Sequence, residues 1–175
     1  MRRLLVLVII VNTVSFAQNL AFPNVSSSNL EGRNFNLPQD FEGDINLVAL
    51  AFEQWQQTDV NSWLPTVVRL SELYPGFKFY ELPTLTQFNG LFRAAIDGGM
   101  RSGIPDQATR EATITLYLDR TAFMRSLEIP DTKAVVLLLV DRQGQIYWRG
   151  QGAFDEAQAE GLEQILTTLS REGSF

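Results

Sequence analysis

Two apolar runs of strand length dominate the pattern of hydrophobic and polar positions along the chain. Leu47–Phe52 and Val135–Val140 are apolar at consecutive positions and not only at alternate ones. Such strands are buried on both faces of the pleat, which is typical of the centre of a sheet that helices cover on both sides. Shorter or alternating segments predict three further strands, at Phe77–Leu82, Thr113–Leu118 and Gln145–Arg149.

Turn-forming residues place the ends of these strands. Pro83 is expected to end the strand that precedes it, because proline cannot donate to a central ladder. Asp141–Gly144 predicts a tight hairpin turn in which the glycine supplies a positive φ. Gly32–Gly43 alternates apolar and polar residues and contains Pro38, which predicts a small hairpin or an edge strand.

Helical periodicity fills the intervals between the strands. Apolar positions three and four residues apart predict helices at Asn61–Tyr74 and Phe154–Leu169, with a shorter helix at Arg120–Leu127. Asp59, Asn61 and Ser62 precede or open the first helix and are expected to cap its free N–H groups.

A further predicted helix within Thr84–Gly103 carries five apolar residues on one face: Phe88, Leu91, Phe92, Ala95 and Ile96. Packing in the core is the interpretation that we adopt for this stripe, and a groove for a partner protein is the alternative. Gly98 and Gly99 are expected to close the helix. Met100–Asp106 then follows as a loop, which lacks the preceding strand and the Lys-Ser/Thr pair of a nucleotide-binding loop.

The order of the predicted elements indicates an α/β fold. It runs hairpin, strand, helix, strand, helix, strand, short helix, strand, strand and helix. Strand–helix–strand units followed by an antiparallel hairpin and a C-terminal helix give a mixed central sheet with helices on both faces, a three-layer sandwich. The chain has 175 residues, which fits one domain with a single core.

The N-terminal segment has the features of a secretory signal peptide. Arg2 and Arg3 precede an apolar core at Leu4–Val11, and small residues follow up to Ala17. A helix that crosses a membrane needs about 20 residues, so this core is too short to span. We therefore predict an exported protein, periplasmic or extracellular. The alternative is a protein tethered to the membrane through an uncleaved N-terminal segment.

Three segments follow from this assignment. Residues 1–17 are predicted to be the signal peptide, residues 18–31 a flexible linker, and residues 32–175 the folded domain. The linker prediction rests on Pro23, Asn24 and three consecutive serines, which are typical of unstructured connections.

Composition excludes several classes of partner and chemistry. With 14 basic and 20 acidic residues the net charge is −6, and no nucleic-acid partner is expected because such binding needs a basic face. The chain has no cysteine and no histidine. Disulfides, thiolate nucleophiles, imidazole catalysis and zinc or copper sites with nitrogen or sulfur ligands are thereby excluded. No Asp-rich calcium loop is present, so neither a metal nor a cofactor is expected.

The strand-to-helix corner carries a resemblance to a known family. Phe52–Pro65 aligns without gaps to the thioredoxin-like pattern Phe-Trp-x-x-Trp-Cys-x-x-Cys followed by a helix with proline, and Asp141–Gly144 with Ile146 resembles the hairpin of the secreted and peroxiredoxin-like branches. The segments Met100-Arg101, Thr113–Tyr117 and Ile146–Trp148 are similar to those of mitochondrial ATP-synthase assembly factors with this fold and of their bacterial relatives. The resemblance implies a thioredoxin-like domain.

Two departures from that family bear on function. The alignment places its redox cysteines at Gln57 and Val60, so thiol–disulfide exchange and thiol peroxidase activity both lack their thiolate. The family's cis-proline, which precedes the strand at Val135–Val140, is replaced by Ala134 and Val135. The resemblance therefore implies a scaffold without thiol redox chemistry.

Other chemistry at the corner has little to build on, and we assign no catalytic residue. Asp59 near Ser62 is half of a triad, but the histidine base is absent. Arg101 lies beside acidic residues and either receives an acidic partner or pairs locally. Trp55 and Trp148 are the expected anchors of an interface, whereas Trp63 is expected in the core.

The sequence thus predicts an exported, redox-inactive thioredoxin-like domain that binds or assembles an envelope protein. The candidate binding residues are Trp55, Gln56, Gln57, Asp59, Arg101 and Trp148. One alternative is an enzyme of non-thiol chemistry that uses carboxylates and hydroxyls at the corner. Another is a domain retained only as a structural module.

Overall fold

The computed structural model describes residues 20–173, so the predicted signal peptide lies outside the described residues. Seven strands and five helices are formed within this range. In chain order they are β1 Val25–Asn29, β2 Asn34–Leu37, β3 Ile45–Ala51, α1 Gln57–Leu73, β4 Phe77–Thr86, α2 Gly90–Gly103, α3 Gln107–Ala112, β5 Ile114–Leu118, α4 Arg120–Ser126, β6 Val136–Asp141, β7 Ile146–Gln151 and α5 Glu156–Arg171.

The strands form one mixed sheet in the order β2-β1-β5-β4-β3-β6-β7. β3, β4 and β5 run parallel, while β6 pairs antiparallel with β3 and with β7. Parallel strands need a crossover connection. Here α1 connects β3 to β4, and the segment with α2 and α3 connects β4 to β5. The predicted mixed central sheet with helices on both faces is confirmed.

The apolar runs are explained by the two layers that cover the sheet. In β3, Leu47 and Ala49 pack with α1 and α5, whereas Val48 and Leu50 pack on the opposite face with α4. Every residue of β3 is buried. The core is therefore split by the sheet, and a strand between two apolar layers must be apolar at consecutive positions.

The linker prediction is wrong for Val25–Asn29. This segment is β1, which pairs antiparallel with β2 and with β5. Serines are compatible with this strand because the hydrogen bonds between strands use backbone groups. The Ser27 hydroxyl also donates to the Thr115 carbonyl. Phe22 and Leu30, on either side of the strand, are buried and hold it against the core.

Pro83 does not end its strand, and Gly98 and Gly99 do not end their helix. β4 continues to Thr86, and Pro83 lies opposite Ala51, the last residue of β3, where a lost donor matters little. α2 continues through both glycines to Gly103, because a solvent-exposed helix tolerates glycine at a cost of about 1 kcal/mol each. The sequence patterns also did not predict α3.

The first helix begins earlier than predicted. α1 starts at Gln57, after a 3-10 turn at Gln54–Gln56, so Asp59 and Ser62 lie inside the helix and do not cap it. The Ser62 hydroxyl donates instead to the Asp59 carbonyl and accepts from the Phe154 amide. Among the helices in residues 20–173, none is long and apolar enough to cross a membrane.

Candidate functional site

The corner between β3 and α1 is built around one buried side chain, that of Gln56. Its carbonyl oxygen accepts from the backbone amides of Phe52 at 2.7 Å and Glu53 at 3.2 Å. Its side-chain amide donates to the Thr132 carbonyl at 2.8 Å. Gln56 therefore closes the turn from inside, and this predicted binding residue is fully buried.

The two vacant cysteine positions have different surroundings. Val60 is buried in the layer formed by α1 and α5, so it is a core residue. Gln57 is exposed at the start of α1, and its side-chain amide donates to Asn61 Oδ1 at 3.1 Å and to Glu81 Oε2 at 3.2 Å. Of the two positions, only Gln57 opens onto the surface.

A groove of about 640 Å³ lies beside Gln57, between the corner, the C-terminal half of β4 and α2. We call it the corner groove. The residues that line it are Ala51, Phe52, Glu53, Gln54, Gln57, Glu81, Pro83, Leu85, Ala95, Ile96, Gly99, Met100, Gly103 and Ile104. Its walls are mainly apolar, which is the character of sites that bind small molecules or apolar side chains.

One wall of the corner groove is the apolar face of α2, and this face is not packed in the core. Leu91 is 86% exposed and Phe92 61% exposed, and α2 contains no buried residue. Ala95, Ile96 and Gly99 continue the same face into the groove. The expectation of core packing is therefore wrong. The periodicity was right, but it identifies an apolar face without showing what covers that face.

The opposite face of α2 holds the helix to the body of the protein. The Tyr117 hydroxyl donates to Asp97 Oδ1 at 2.8 Å, and the Arg93 guanidinium lies 5.0 Å from the centre of the Tyr117 ring. Burial and the Asp97 carboxylate both raise the pKa of Tyr117, so its hydroxyl stays a donor. At the C-terminal end, Arg101 pairs with Glu31 at 2.9 Å.

The most unusual group in the corner groove is the carboxyl of Glu81. The residue is only 8% exposed, and it lies in β4 between the buried Tyr80 and Leu82. Burial raises the pKa of Glu81, and the hydrogen bond from Gln57 opposes that shift. Sequence reasoning missed Glu81, although an acidic residue inside an otherwise buried strand was a signal for it.

The sequence of the chain matches a known protein family over most of its length. The profile of the family described as "ATP10 protein" matches residues 14–169. The chain belongs to the ATP10 family. The family resemblance predicted from the sequence is thereby confirmed, and a search of curated protein sequences gives no match.

Solved structures with the same fold are thioredoxin-like. The thioredoxin domain of a thiol-disulfide oxidoreductase from Bacteroides vulgatus is 18% identical, covers 86% of this chain and 98% of its own, and superposes with a TM-score of 0.55. BsSco, of the Sco family of cytochrome c oxidase assembly proteins, is 11% identical with a TM-score of 0.58, over 86% of this chain and 94% of its own. At these identities the likeness establishes the fold of the ATP10 family chain, not its activity.

The remaining predicted residues are distributed around the ATP10 family chain. Trp55 is 59% exposed, in the same turn as the groove residue Gln54. Asp59 is half-buried within α1, and Arg101 is engaged with Glu31. Trp148 is half-buried on β7, where it packs edge-on against the buried Trp63 at 6.1 Å. The structure thus places only Gln57 in the groove and Trp55 beside it.

The chemistry available in the corner groove is limited to acids and amides. Its lining contains Glu53 and Glu81 but no hydroxyl, amine or thiol side chain. The Asp59–Ser62 pair lies outside this lining, and the Ser62 hydroxyl is committed to backbone groups. No cluster of metal-ligating side chains occurs within residues 20–173. The groove therefore presents two carboxylates and two amides within a mainly apolar lining.

Proposed function

We propose that this ATP10 family chain is an exported, redox-inactive assembly factor that holds a partner protein in the corner groove. The observation that carries the proposal is the exposed apolar face of α2, which forms one wall of the groove. Membership of the ATP10 family and the predicted signal peptide support the assembly role and the export.

An exposed apolar helix face is a recurrent feature of protein interfaces. Leu91 and Phe92 are exposed to solvent on a capped and anchored helix. Single exposed apolar residues are common on protein surfaces, whereas a continuous apolar stripe is typical of an interaction site. The Asn89 side chain accepts from the Phe92 amide at 3.0 Å, so the helix begins at a defined residue. A preformed helix loses little conformational entropy on binding, which favours affinity.

The proposed absence of redox function rests on the corner itself. The positions that align with the family's cysteines are Gln57 and Val60, and the whole chain contains no cysteine. Without a thiolate there is neither an attacking nor a resolving group. In this proposal the groove beside the corner binds a partner protein and carries out no thiol chemistry.

A quantitative pull-down with matched variants tests the proposal. The bait is the full chain expressed in its own cells, as wild type, as Leu91→Ser/Phe92→Ser, and as Val68→Ser/Leu73→Ser. Val68 and Leu73 are 58% and 59% exposed on α1, so the second pair removes similar apolar surface elsewhere. We expect one partner to be retained by the wild type and the α1 variant and reduced at least tenfold by the α2 variant. Equal capture by all three baits would refute the proposal.

A further inference from the structure

The polar side chains in the corner groove include no cation. Glu53, Gln54, Gln57 and Glu81 supply carboxylates and amides, while the rest of the lining is apolar and contains no cation. Glu53 already has a distant cationic neighbour, Arg120 at 3.9 Å. Glu81 has no such neighbour in the described structure, so its negative charge is unbalanced.

The surroundings of Glu81 make its unbalanced charge costly. The residue is more than nine-tenths buried and receives one hydrogen bond, from the Gln57 side chain at 3.2 Å. A neutral amide donor at that distance compensates a buried carboxylate only in part. A cation that enters the groove would complete the site, because charge-assisted hydrogen bonds in a water-poor setting are the strong ones.

We propose that the corner groove binds an apolar segment of the partner protein that carries one lysine or arginine, and that this cation pairs with Glu81. The inference rests on the proposed function and adds the chemistry of the occupant. The apolar part of the segment lies against Ala95 and Ile96 in the groove and against the exposed Phe92 beside it, and the cation reaches Glu81 on β4.

The chain's own N-terminal segment is the other occupant with the same chemistry, since Arg2 and Arg3 precede an apolar run. The described chain, however, enters the fold next to the β6–β7 turn, where the Phe22 amide donates to the Gly144 carbonyl. That turn lies at the end of the sheet where Ile45 pairs with Asp141, whereas the groove lies beyond Ala51 at the other end. This geometry favours a partner segment.

Titration with three small probes tests the charge preference directly. Hexylammonium chloride, hexanol and sodium hexanoate share an apolar tail and differ only in the head group. Each is added at pH 7.5 to the full-length, isotope-labelled protein, and binding is followed by NMR from the amide shifts of Gln57, Glu81 and Ala95. We expect hexylammonium to bind about tenfold more tightly than hexanol, as one charge-assisted bond allows, and hexanoate to bind least.

Variants assign that preference to Glu81. In Glu81→Gln the preference for hexylammonium should fall below twofold, while Glu163→Gln, which removes an acid on α5, should retain it. Equal binding of hexylammonium and hexanol in the groove would overturn the cation inference and leave the docking groove intact. Shifts only outside the groove, or none, would also overturn it, and the pull-down then decides the proposed function separately.

Tighter hexylammonium binding by Arg2→Gln/Arg3→Gln would identify the chain's own segment as the occupant and overturn the partner assignment.

Discussion

At the scale of single residues, two buried polar side chains with opposite energetic consequences meet at the corner. Gln56 has its side-chain oxygen and nitrogen bonded within the turn, so its burial is compensated. Glu81 has one neutral donor for a charged group, so its burial is not. Structural polar groups are normally satisfied, and a poorly satisfied one at a groove is typical of a binding position.

Replacement of Glu81 should make the folded protein more stable at neutral pH. Because burial raises its pKa in the folded state above the unfolded value, Glu81 costs stability increasingly as the pH rises through the folded-state pKa. Glu81→Gln removes this cost, and we expect the Tm at pH 7.5 to rise by about 2–4 °C. Near pH 4 the two proteins should melt alike, since Glu81 is then protonated in both the folded and the unfolded state.

Glu163→Gln provides the control for this pH dependence. Arg69 lies within 3.0 Å of the Glu163 carboxylate and lowers its pKa, so the sign is reversed. This exposed pair contributes little, and its loss should lower the Tm slightly at pH 7.5. A Glu81→Gln protein that melts below the wild type at pH 7.5 would show that the carboxylate is satisfied in the folded state.

Removal of the Gln56 side chain should destabilise the fold strongly. Gln56→Ala removes the buried side chain that bonds the Phe52 and Glu53 amides and the Thr132 carbonyl. We expect a loss of about 2–4 kcal/mol in the free energy of unfolding, measured by urea denaturation. Gln54→Ala, which replaces an exposed glutamine in the same turn, should change it by less than about 0.5 kcal/mol. Similar values for the two variants would contradict the structural role of Gln56.

The sequence could not separate these neighbouring glutamines. Gln54, Gln56 and Gln57 are the same residue type within four positions, yet Gln56 is buried, whereas Gln54 and Gln57 line the groove and only Gln57 bonds Glu81. Their roles depend on where the 3-10 turn ends and α1 begins, and helix boundaries are the least certain feature of a sequence pattern. Trp63, whose core position was predicted, differs because its apolar neighbours recur at helical spacing.

At the scale of elements, α2 is a helix whose apolar face is exposed to solvent. It is held on one side through Tyr117 and at its end through the Arg101–Glu31 pair, while its apolar face remains open. Helices that bury no residue open locally at low free energy. The anchor at Tyr117 should therefore control how firmly α2 stands beside the groove.

Tyr117→Phe should loosen α2 without unfolding the protein. The variant removes the hydroxyl that donates to Asp97 and keeps the ring beneath Arg93. A lost hydrogen bond of about 1 kcal/mol corresponds to roughly fivefold faster hydrogen exchange of the α2 amides. Hydrogen–deuterium exchange with mass spectrometry should show this acceleration in α2 and none in α5. Unchanged α2 exchange would mean that Tyr117 does not anchor the helix.

The periodicity of α2 was visible in the sequence, but its environment was not. Amphipathic helices that pack on a core and helices that present a face to a partner have the same spacing of apolar residues. For α5 the same reasoning gave the correct answer, because Leu162, Leu166 and Leu169 do pack under the sheet. The two helices differ because α2 belongs to the long crossover between β4 and β5. No local sequence pattern specifies the path of that crossover over the surface.

At the scale of the whole molecule, the consecutive apolar runs and the order of elements predicted the fold. β3 and β6 are buried on both faces and lie next to each other in the sheet, as their composition indicates. β1 was missed because a serine-rich strand has no apolar alternation, and it forms by pairing its backbone between β2 and β5. Pairing partners distant in sequence are what a single sequence shows least.

In-cell photo-crosslinking can show whether the corner groove and the apolar face of α2 form the surface that binds a partner. A photoreactive phenylalanine analogue replaces Phe92 on α2 or, as the control, Leu73 on α1, which is equally exposed. We expect one adduct of defined mass from position 92 that Ile96→Asp abolishes, and no such adduct from position 73. The same adducts from both positions, or none from position 92, would contradict this expectation.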